Sequence, residues 1–326
     1  MDKIIVSACI ITYNHDLYIR DCLEGAINQK VNFAYEIIVG DDCSSDKTMQ
    51  ICIEYAKKYP DLIKLWPRQK NLGMIGNWIK TIEDCSGRYI ALCEGDDFWT
   101  DPYKLQKQVD FLEANPEYAI CFHRVFEKNE LDEIKSSFSP IHSNISTFED
   151  LIRNNNYIHT GSSIFRNNLF GEFPEWFVDC EVADYVLHLL NAQYGKIYFM
   201  EDTMAVYRIN SQSTWASKDD SYRYGKWLKL LLFLSTKFDT KTNELLFENI
   251  YAIMMHCKKL QIDINEFLDV LSKQDLIRLF EKGQIVYVQE EENRDKNLWK
   301  VKNSYDYKFG NILIQPLRYI KKLLNL

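Results

Sequence analysis

Apolar runs and stretches of helical periodicity alternate along the first hundred residues of the chain. Residues 4–11 form a continuous, β-branched apolar run, the pattern of a strand that is buried on both faces of a parallel sheet. Similar runs predict three more strands, at residues 35–40, 63–66 and 88–93, with helices between them. This alternation is typical of an α/β fold, in which right-handed crossovers bring the carboxyl ends of the strands to one edge of the sheet.

The remaining elements of this α/β part follow from shorter patterns. Ser44 or Ser45 is expected to cap a helix over residues 47–59. Residues 127–146 are polar and lack periodicity, which predicts a loop that lies over the cleft. The other predicted elements are strands at residues 118–126, 159–166, 195–200 and 204–208, and helices at residues 147–153 and 180–193.

The pattern becomes almost entirely helical in the last third of the chain. We therefore expect an α/β domain over residues 1–217, a helical extension over residues 218–289, and an acidic hinge with a basic amphipathic tail over residues 290–326. From Phe309 to Leu326 apolar residues recur at helical spacing with cations mainly on other faces, which suits contact with an anionic membrane surface. Packing onto the body of the protein, or onto the partner subunit of a homodimer, is an equal alternative.

Charge and cysteine content narrow the class of protein. The 326 residues have a net charge of −8 and a pI near 5.4, which argues against nucleic acid as the main partner, because such proteins need a basic face. The nine cysteines are scattered without a Cys-x-x-Cys pair, so we expect reduced thiols. The first residues lack a secretory signal pattern, and no apolar run is long enough to span a membrane. A cytoplasmic location is expected, with peripheral contact at the inner face of the cell membrane as a variant.

Polar and acidic side chains follow three of the predicted strands at the point where each strand ends. Thr12-Tyr13-Asn14 follows the first strand, Asp41-Asp42 the second, and Glu94-Gly95-Asp96-Asp97 the fourth. Adjacent carboxylates repel each other unless a cation or a hydrogen-bond donor lies between them. Oxygen ligands on a turn suit Mg²⁺ or Mn²⁺, which keep positions for water and substrate phosphate. A solvated turn is the alternative for the Gly-Asp-Asp triplet, but three polar strand ends at one edge predict a binding site.

A metal held in this way fits a nucleotide diphosphate. Asp41 or Asp42 is placed to accept hydrogen bonds from a base or a ribose. The chain lacks the P-loop signature, and it lacks Gly-x-Gly-x-x-Gly after the first strand. Recognition of the diphosphate by a metal and a few side chains suits a diphosphate that departs as a leaving group.

Several short motifs occur in a specific order and spacing between residues 4 and 215. They are Ile-Ile-Thr-Tyr-Asn and Ile-Ile-Val-Gly-Asp-Asp-Cys-Ser-Ser-Asp at the first two strand ends, Asn71-Leu-Gly, Glu94-Gly-Asp-Asp-Phe-Trp with the following Asp-Pro-Tyr-Lys-Leu, Ala183-Asp184 and Ala-Val-Tyr-Arg208. With these motifs the chain resembles the family 2 glycosyltransferases of the GT-A fold, which use nucleotide-activated sugars to build bacterial surface polysaccharides. The resemblance implies a Rossmann-like, nucleotide-binding mixed sheet that is flanked by helices.

The resemblance also implies roles for individual residues. The residues expected to bind the nucleotide are Thr12, Tyr13, Asn14, Asp41, Asp42, Asn71 and Asp96. Asp97 would hold a Mn²⁺ or Mg²⁺ cofactor together with Asp96, while Glu94 stands at the first position of the family's Asp-x-Asp-like motif, where aspartate is usual. Asp184 would be the general base, with Glu181 on the same predicted helix face as a second candidate. An ordinary solvated helix face is the alternative for both.

The predicted function is a metal-dependent, inverting transfer of one sugar. The donor is expected to be a nucleotide-diphosphate sugar, a UDP-hexose on base rates, and the acceptor a hydroxyl of a glycan or lipid-linked glycan in surface polysaccharide synthesis. Trp99 and Trp176 are candidates to stack on an acceptor sugar, with core packing as an equal alternative. The Gln-x-x-Arg-Trp pattern of processive synthases is absent, so we expect a single transfer.

Two other classes of protein compete with this interpretation. One is a non-catalytic protein that keeps the GT-A fold and binds nucleotide sugars or glycans. The other is a sugar nucleotidyltransferase, which needs a phosphate loop rich in glycine and lysine after the first strand. The chain has Thr-Tyr-Asn-His at that place, which disfavours the nucleotidyltransferase.

Overall fold

The computed structural model describes residues 3–131, 133–136, 143–209, 218–279 and 281–282. It divides into two units, Met1–Ser217 and Lys218–Leu326, and each unit has its own set of elements. The predicted hinge and tail, residues 290–326, lie outside the described residues. The segment that we expect to contact a membrane or a partner subunit therefore lies outside them too.

Four parallel strands form one half of the sheet in the first unit. They are β1 (Val6–Thr12), β2 (Tyr35–Asp41), β3 (Ile63–Pro67) and β4 (Tyr89–Glu94), in the order β3-β2-β1-β4. The helices that follow the strands are α1 (Ile19–Ile27), α2 (Thr48–Lys58), α3 (Gly73–Glu83) and α4 (Lys104–Ala114). Every residue of β1 is buried, because helices cover both faces of a parallel sheet, and this explains its unbroken apolar run.

The other half of the sheet mixes parallel and antiparallel strands. Its members are β5 (Phe98–Trp99), β6 (Tyr118–Asn129), β7 (Ile134–Ser136), β8 (Ile145–Ser146), β9 (Ile164–Arg166) and β10 (Lys196–Ile209). The main path runs β3-β2-β1-β4-β9-β6-β10-β5. Because β9 is antiparallel to both β4 and β6, and β10 is parallel to β6, the strands β4, β6 and β10 run in the same direction. The predicted mixed sheet flanked by helices is confirmed.

Several local predictions differ from the structure. The predicted loop over residues 127–146 contains the end of β6 together with β7 and β8, and residues 132 and 137–142 of it lie outside the described residues. The two strands predicted at 195–200 and 204–208 are one strand, β10, whose pairing with β6 is interrupted by bulges. A strand was expected over residues 159–166, but a 3₁₀ turn, Thr160–Ser162, precedes a short β9.

Two helices follow in the region after β8. Helix α5 (Phe148–Asn154) begins with a capping box, in which the Thr147 side chain accepts from the Asp150 N–H and Asp150 accepts from the Thr147 N–H. Helix α6 (Ala183–Ala192) starts three residues later than predicted. Nine of its ten residues are buried and the exception is Asp184, so α6 is a core helix rather than one with a solvated face. His188 is fully buried in it.

The second unit is helical, as its periodicity indicates. Its helices are α7 (Asp220–Leu234), α8 (Thr240–Leu260) and α9 (Asn265–Leu268), and residues 273–279 are helical as well. The side chains of Asp219 and Asp239 cap α7 and α8 by accepting from backbone N–H groups. Within the ranges that the structure describes, no helix combines the length and apolar character that crossing a membrane requires.

Candidate functional site

The ends of β1, β2 and β4 meet at one edge of the sheet, as the strand directions require. The Asp42 N–H donates to the carbonyl of Thr12 at 3.0 Å, and the Gly95 N–H donates to the carbonyl of Ile11 at 2.9 Å. A Cβ at position 95 would lie 2.5 Å from Thr12 Oγ1 and 2.8 Å from His15 Nδ1. Only glycine therefore lets the acidic turn after β4 approach the end of β1 so closely.

Asn14 and Ser44 join the loops that follow β1 and β2. The Asn14 N–H donates to Ser44 Oγ at 3.0 Å, and Asn14 Oδ1 accepts from the Ser45 N–H at 2.8 Å. Asn14 has a φ of 56°, a conformation that asparagine tolerates better than most residues. Neither serine caps α2 as predicted. The residue before the helix is Lys47, whose side chain makes no cap hydrogen bond, and Asp46 Oδ1 accepts from the Thr48 N–H at 2.8 Å.

The two aspartates at the end of β2 are both buried and both have hydrogen-bond donors. Asp41 accepts from the N–H and the hydroxyl of Ser44, at 3.0 Å and 2.6 Å. Asp42 Oδ1 accepts from the Leu72 N–H at 2.7 Å, which fixes the loop that contains Asn71. Asn71 and Tyr13 are exposed nearby on these loops. The expected nucleotide residues of β1 and β2 thus form one connected group.

The acidic turn after β4 is electrostatically different. Asp97 is 2% exposed, and burial together with the charges of Asp96 and Glu94 raises its pKa well above the usual range. Burial, followed by the charges of Asp96 and Asp184, raises the pKa of Glu94 to about 8. These carboxylates lie close enough to oppose one another's ionisation, so the ligand-free turn favours protonated forms or a bound cation.

Arg208, at the end of β10, holds the acidic turn in place. Its backbone N–H donates to Asp97 Oδ1 at 2.8 Å, and its guanidinium donates to the carbonyl of Asp96 at 2.6 Å. The guanidinium also pairs with Asp21 of α1, and its carbon lies 4.4 Å from the centre of the Phe98 ring. The sequence placed Arg208 in a motif but gave no sign of these contacts.

Asp184 faces the acidic turn from the first turn of α6. Its Oδ1 accepts from the Tyr185 N–H at 2.8 Å, and its Oδ2 accepts from Asn156 at 2.7 Å and from Thr160 at 3.5 Å. Burial raises the pKa of Asp184, although these donors offset part of the rise. Its charge acts on Glu94, which places it beside the turn. Glu181 is exposed and precedes α6, so the prediction that it shares a helix face with Asp184 is wrong.

The 3₁₀ turn Thr160–Ser162 lies between Asp184 and Asp97. The sequence analysis did not predict this turn. Thr160 contacts Asp184, and the Cβ that Gly161 lacks would lie 3.6 Å from Asp97 Oδ2. Gln108 of α4 holds the turn by donating to the carbonyl of Ser162 at 3.0 Å. The Thr-Gly-Ser-Ser sequence was the only available sign of this turn, because small polar residues favour turns over strands.

The two tryptophans proposed to contact an acceptor lie in different environments. Trp99 is 4% exposed, its indole N–H donates to the carbonyl of Gly161 at 2.9 Å, and Lys104 Nζ lies 4.2 Å from the ring centre. Its ring belongs to the core, which is the alternative that the sequence left open. Trp176 is half-buried in a second 3₁₀ turn, Glu175–Asp179, and stays a candidate acceptor contact.

The chemistry of the acidic turn fits a divalent cation. Over the described part of the chain, no three His, Cys, Asp or Glu side chains are grouped to hold a metal ion by themselves. Asp96 and Asp97 offer two carboxylates, the number with which Mg²⁺ and Mn²⁺ are typically bound when substrate phosphates complete the coordination. A cation would relieve the repulsion that raises the pKa of Asp97. Asp97 and Asp96 are therefore the residues that would hold it.

Comparison with known proteins agrees with this picture. The profile of glycosyl transferase family 2 matches residues 7–173. An uncharacterized protein of Mycobacterium tuberculosis, Rv1520, is 38% identical over 213 residues, which cover 65% of this chain and 61% of that protein. The dTDP-rhamnosyl transferase RfbG of Shigella flexneri is 30% identical over 134 residues, which cover 38% of this chain and 46% of RfbG. The aligned part of this chain thus spans only part of the length of either relative.

The fold also resembles that of a solved structure. Residues 1–349 of TarS from S. aureus superpose with a TM-score of 0.59 at 18% identity, covering 86% of this chain and 81% of that one. At such low identity the likeness concerns the fold alone, and it confirms the GT-A class. The sheet therefore has the GT-A architecture, with acidic strand ends that meet at one edge. Because the matching profile covers half of the sequence, the chain belongs to glycosyl transferase family 2.

Proposed function

We propose that this glycosyltransferase moves one sugar from a UDP-sugar to a hydroxyl of a glycan or lipid-linked glycan in surface polysaccharide synthesis, with inversion at the anomeric carbon. The observation that carries the proposal is the convergence of Asp184 on the Glu94–Asp97 turn. There, one oriented carboxylate faces a group of carboxylates that repel one another. This arrangement offers a base and a cation site side by side.

The proposed donor follows from the relatives and from the group at the ends of β1 and β2. TarS, which shares the fold, has been solved in complex with UDP and with UDP-GlcNAc, and RfbG is named a dTDP-rhamnosyl transferase. Both names point to a pyrimidine nucleotide. Tyr13 and Asn71 are exposed beside the buried Asp42. The base and the ribose of a nucleotide would therefore find aromatic and polar side chains at this place. We infer that the uracil and ribose bind there, with Asp96 at the ribose.

Asp184 is the proposed general base. Its side chain is oriented by Tyr185 and Asn156, and burial raises its pKa, which makes it a stronger base than an exposed aspartate. As the acceptor oxygen attacks the anomeric carbon, its proton passes to Asp184. The bond between that carbon and the diphosphate oxygen breaks, and its electron pair leaves with the nucleoside diphosphate. A single displacement of this kind inverts the anomeric configuration.

Asp97 is the proposed metal ligand, with Asp96 beside it. When bound, a Mn²⁺ or Mg²⁺ ion supplies positive charge to the departing diphosphate. The chain's contribution is to hold Asp97 at a fixed position, through the Arg208 N–H on one side and the Gly161 backbone on the other. Arg208 keeps Asp96 in the turn by donating to its carbonyl.

A thermal-shift screen of the purified chain against UDP-, dTDP-, GDP- and CDP-sugars, each with Mn²⁺ and with excess chelator, tests the donor. A ligand at one hundred times its dissociation constant adds about 2.7 kcal/mol to the free energy of unfolding, which is readily measured. We expect stabilisation by UDP-sugars that the chelator removes. Stabilisation by dTDP-sugars alone would show that the donor base is thymine and not uracil. Stabilisation by no donor would contradict it and favour the non-catalytic alternative.

A further inference from the structure

Three side chains that the proposed reaction does not use come together at the carboxyl ends of β6 and β10. Glu127 of β6 and Tyr207 of β10 are paired neighbours in the parallel register of these strands. The ring of His159 lies 5.1 Å from the ring of Tyr207, centre to centre, at an angle of 45°. His159 Nε2 lies 3.8 Å from Glu127 Oε1. We call these three residues the edge cluster.

The edge cluster is joined through the chain to the residues proposed for catalysis. His159 is followed by Thr160, which contacts Asp184, and then by Gly161, which lies against Asp97. Tyr207 is followed by Arg208, whose N–H donates to Asp97. Two of the three cluster residues are therefore direct neighbours in sequence of residues that contact the proposed base or the proposed metal ligand.

The cluster is partly open and keeps hydrogen-bonding capacity. The side chains of His159 and Glu127 are 31% and 35% exposed. Their separation of 3.8 Å is longer than a direct hydrogen bond, so a further polar group can bind to both. Partial burial lowers the pKa of His159 from its ordinary value, so at neutral pH its uncharged ring has one donor and one acceptor nitrogen.

These properties match the chemistry of a sugar ring. A carboxylate accepts hydrogen bonds from hydroxyl groups, and a neutral imidazole both donates to them and accepts from them. A phosphate group is a poor match, because it meets the carboxylate of Glu127 and an uncharged histidine. A nucleotide base has a place at the ends of β1 and β2, on the other side of β4 in the sheet order.

We propose that the edge cluster is the acceptor subsite, where Glu127 and His159 bind hydroxyl groups of the acceptor sugar and Tyr207 supports the His159 ring. This inference rests on the proposed function, since an acceptor sugar is needed only if the chain transfers to one. His159 directly precedes the turn Thr160–Ser162, and Thr160 of this turn donates to Asp184. The acceptor hydroxyl that is to lose its proton then lies next to the group that receives it.

Ligand binding by NMR tests the subsite with the full chain. The probes are methyl glycosides of glucose, galactose, N-acetylglucosamine and rhamnose, titrated in the presence of UDP and Mn²⁺ and detected by saturation transfer. Two variants remove the hydrogen bonds with little change of shape: Glu127→Gln, and His159→Phe, which keeps a ring against Tyr207. We expect each to weaken binding of the preferred glycoside about tenfold or more, since hydrogen bonds to charged or buried groups contribute that much, and to leave UDP affinity unchanged.

Glu117→Gln is the matched control, because Glu117 is an exposed glutamate just before the amino end of β6, at the opposite edge of the sheet. It should bind glycosides as the unmodified chain does. Glycoside binding that survives both cluster substitutions overturns the subsite, as does an equal loss of UDP affinity in the two variants. Failure of the unmodified chain to bind any glycoside while it binds UDP also overturns it. Failure to bind UDP at all counts instead against the proposed function.

Discussion

The ends of β2 and β4 both carry adjacent aspartates, yet the two pairs lie in different surroundings. At the end of β2, Asp41 accepts two hydrogen bonds from Ser44, and Asp42 accepts one from the Leu72 N–H. At the end of β4, Asp97 accepts from the Arg208 N–H, and burial together with neighbouring carboxylates raises the pKa of Asp97. The same Gly-Asp-Asp sequence thus lies among hydrogen-bond donors at one strand end and beside other carboxylates at the other.

The difference arises from what faces each pair. The loop after β2 turns back on itself, so that the N–H and hydroxyl of Ser44 point at Asp41. The turn after β4 faces Asp184 instead, and that carboxylate adds to the repulsion on Glu94. We therefore expect a cation to stabilise the β4 end, whereas the carboxylates at the β2 end are already held by hydrogen bonds from the protein.

The substitution Asp97→Asn should have the largest effect on the rate of sugar transfer. A small effect would contradict the difference between the two strand ends. The amide keeps an oxygen to accept from the Arg208 N–H but removes the charge, so sugar transfer should fall about 10³-fold or more, because metal sites contribute several kcal/mol to the transition state. Stabilisation by UDP with Mn²⁺ should disappear in thermal-shift assays. The ligand-free variant should be at least as stable as the parent, since a buried repelling carboxylate is gone. Metal-dependent binding that persists in this variant contradicts the assignment of Asp97.

The substitution Asp184→Asn should stop sugar transfer without weakening binding of the donor. We expect a fall of about 10²- to 10⁴-fold in the rate of sugar transfer, the usual contribution of a general base, with metal-dependent UDP binding unchanged. Asparagine keeps an oxygen to accept from the Tyr185 N–H, so the variant should fold. Rates are measured as UDP release with and without an acceptor glycoside. If Asp184→Asn lost donor binding to the same degree as Asp97→Asn, the division of roles between them would be wrong.

The free energy of unfolding should depend on pH through Glu94, at the end of β4. The folded-state pKa of Glu94, about 8, lies above its ordinary value, so the folded protein retains a proton that the unfolded chain loses. The free energy of unfolding should therefore fall as pH rises from about 5 to 8, by roughly 2–4 kcal/mol after allowance for coupling between the carboxylates. Denaturant unfolding in the presence of chelator measures this fall. Glu94→Gln should reduce it, and a slope equal to that of the parent would contradict the prediction.

Ser44→Ala should have the smallest effect and should be purely structural. It removes the hydroxyl that donates to the buried Asp41 and accepts from the Asn14 N–H, so we expect a loss of about 1–2 kcal/mol in the free energy of unfolding. Ser45→Ala is the control, because that exposed hydroxyl makes only a 3.2 Å contact with Asn14. Added Mn²⁺ should not restore stability to either variant. Restoration by metal would show that the β2 end, too, depends on a cation.

The strand and helix pattern of the first hundred residues was predictable because each element there has a local signature. Buried parallel strands are continuous apolar runs, and polar residues at their ends indicate the shared edge. The arrangement around Asp184 was not predictable, because it depends on contacts between residues far apart in sequence. The Arg208 N–H reaches Asp97 across 111 positions, and the turn at Thr160 reaches Asp184 across 24.

The surroundings of single residues also depend on contacts that the local sequence does not indicate. Trp99 stands in a motif that suggests exposure, but its burial is decided by Gly161 and Lys104, which no local pattern connects to it. Helix α6 has polar residues at Asp184 and His188, four apart, which suggest a solvated face. The structure buries His188 completely and leaves Asp184 as the one residue of α6 that is only half-buried.

The missing side chain at position 95 has a consequence for how this protein tolerates change. A single methyl group there would meet the Thr12 side chain at the end of β1 and the His15 ring in the loop that follows it. In a saturation library, every one of the nineteen substitutions at this codon should be depleted under selection for transfer. Neighbouring codons such as the one for Glu94 should tolerate a few. The narrowest sequence constraint of the site therefore falls on a residue that performs no chemistry.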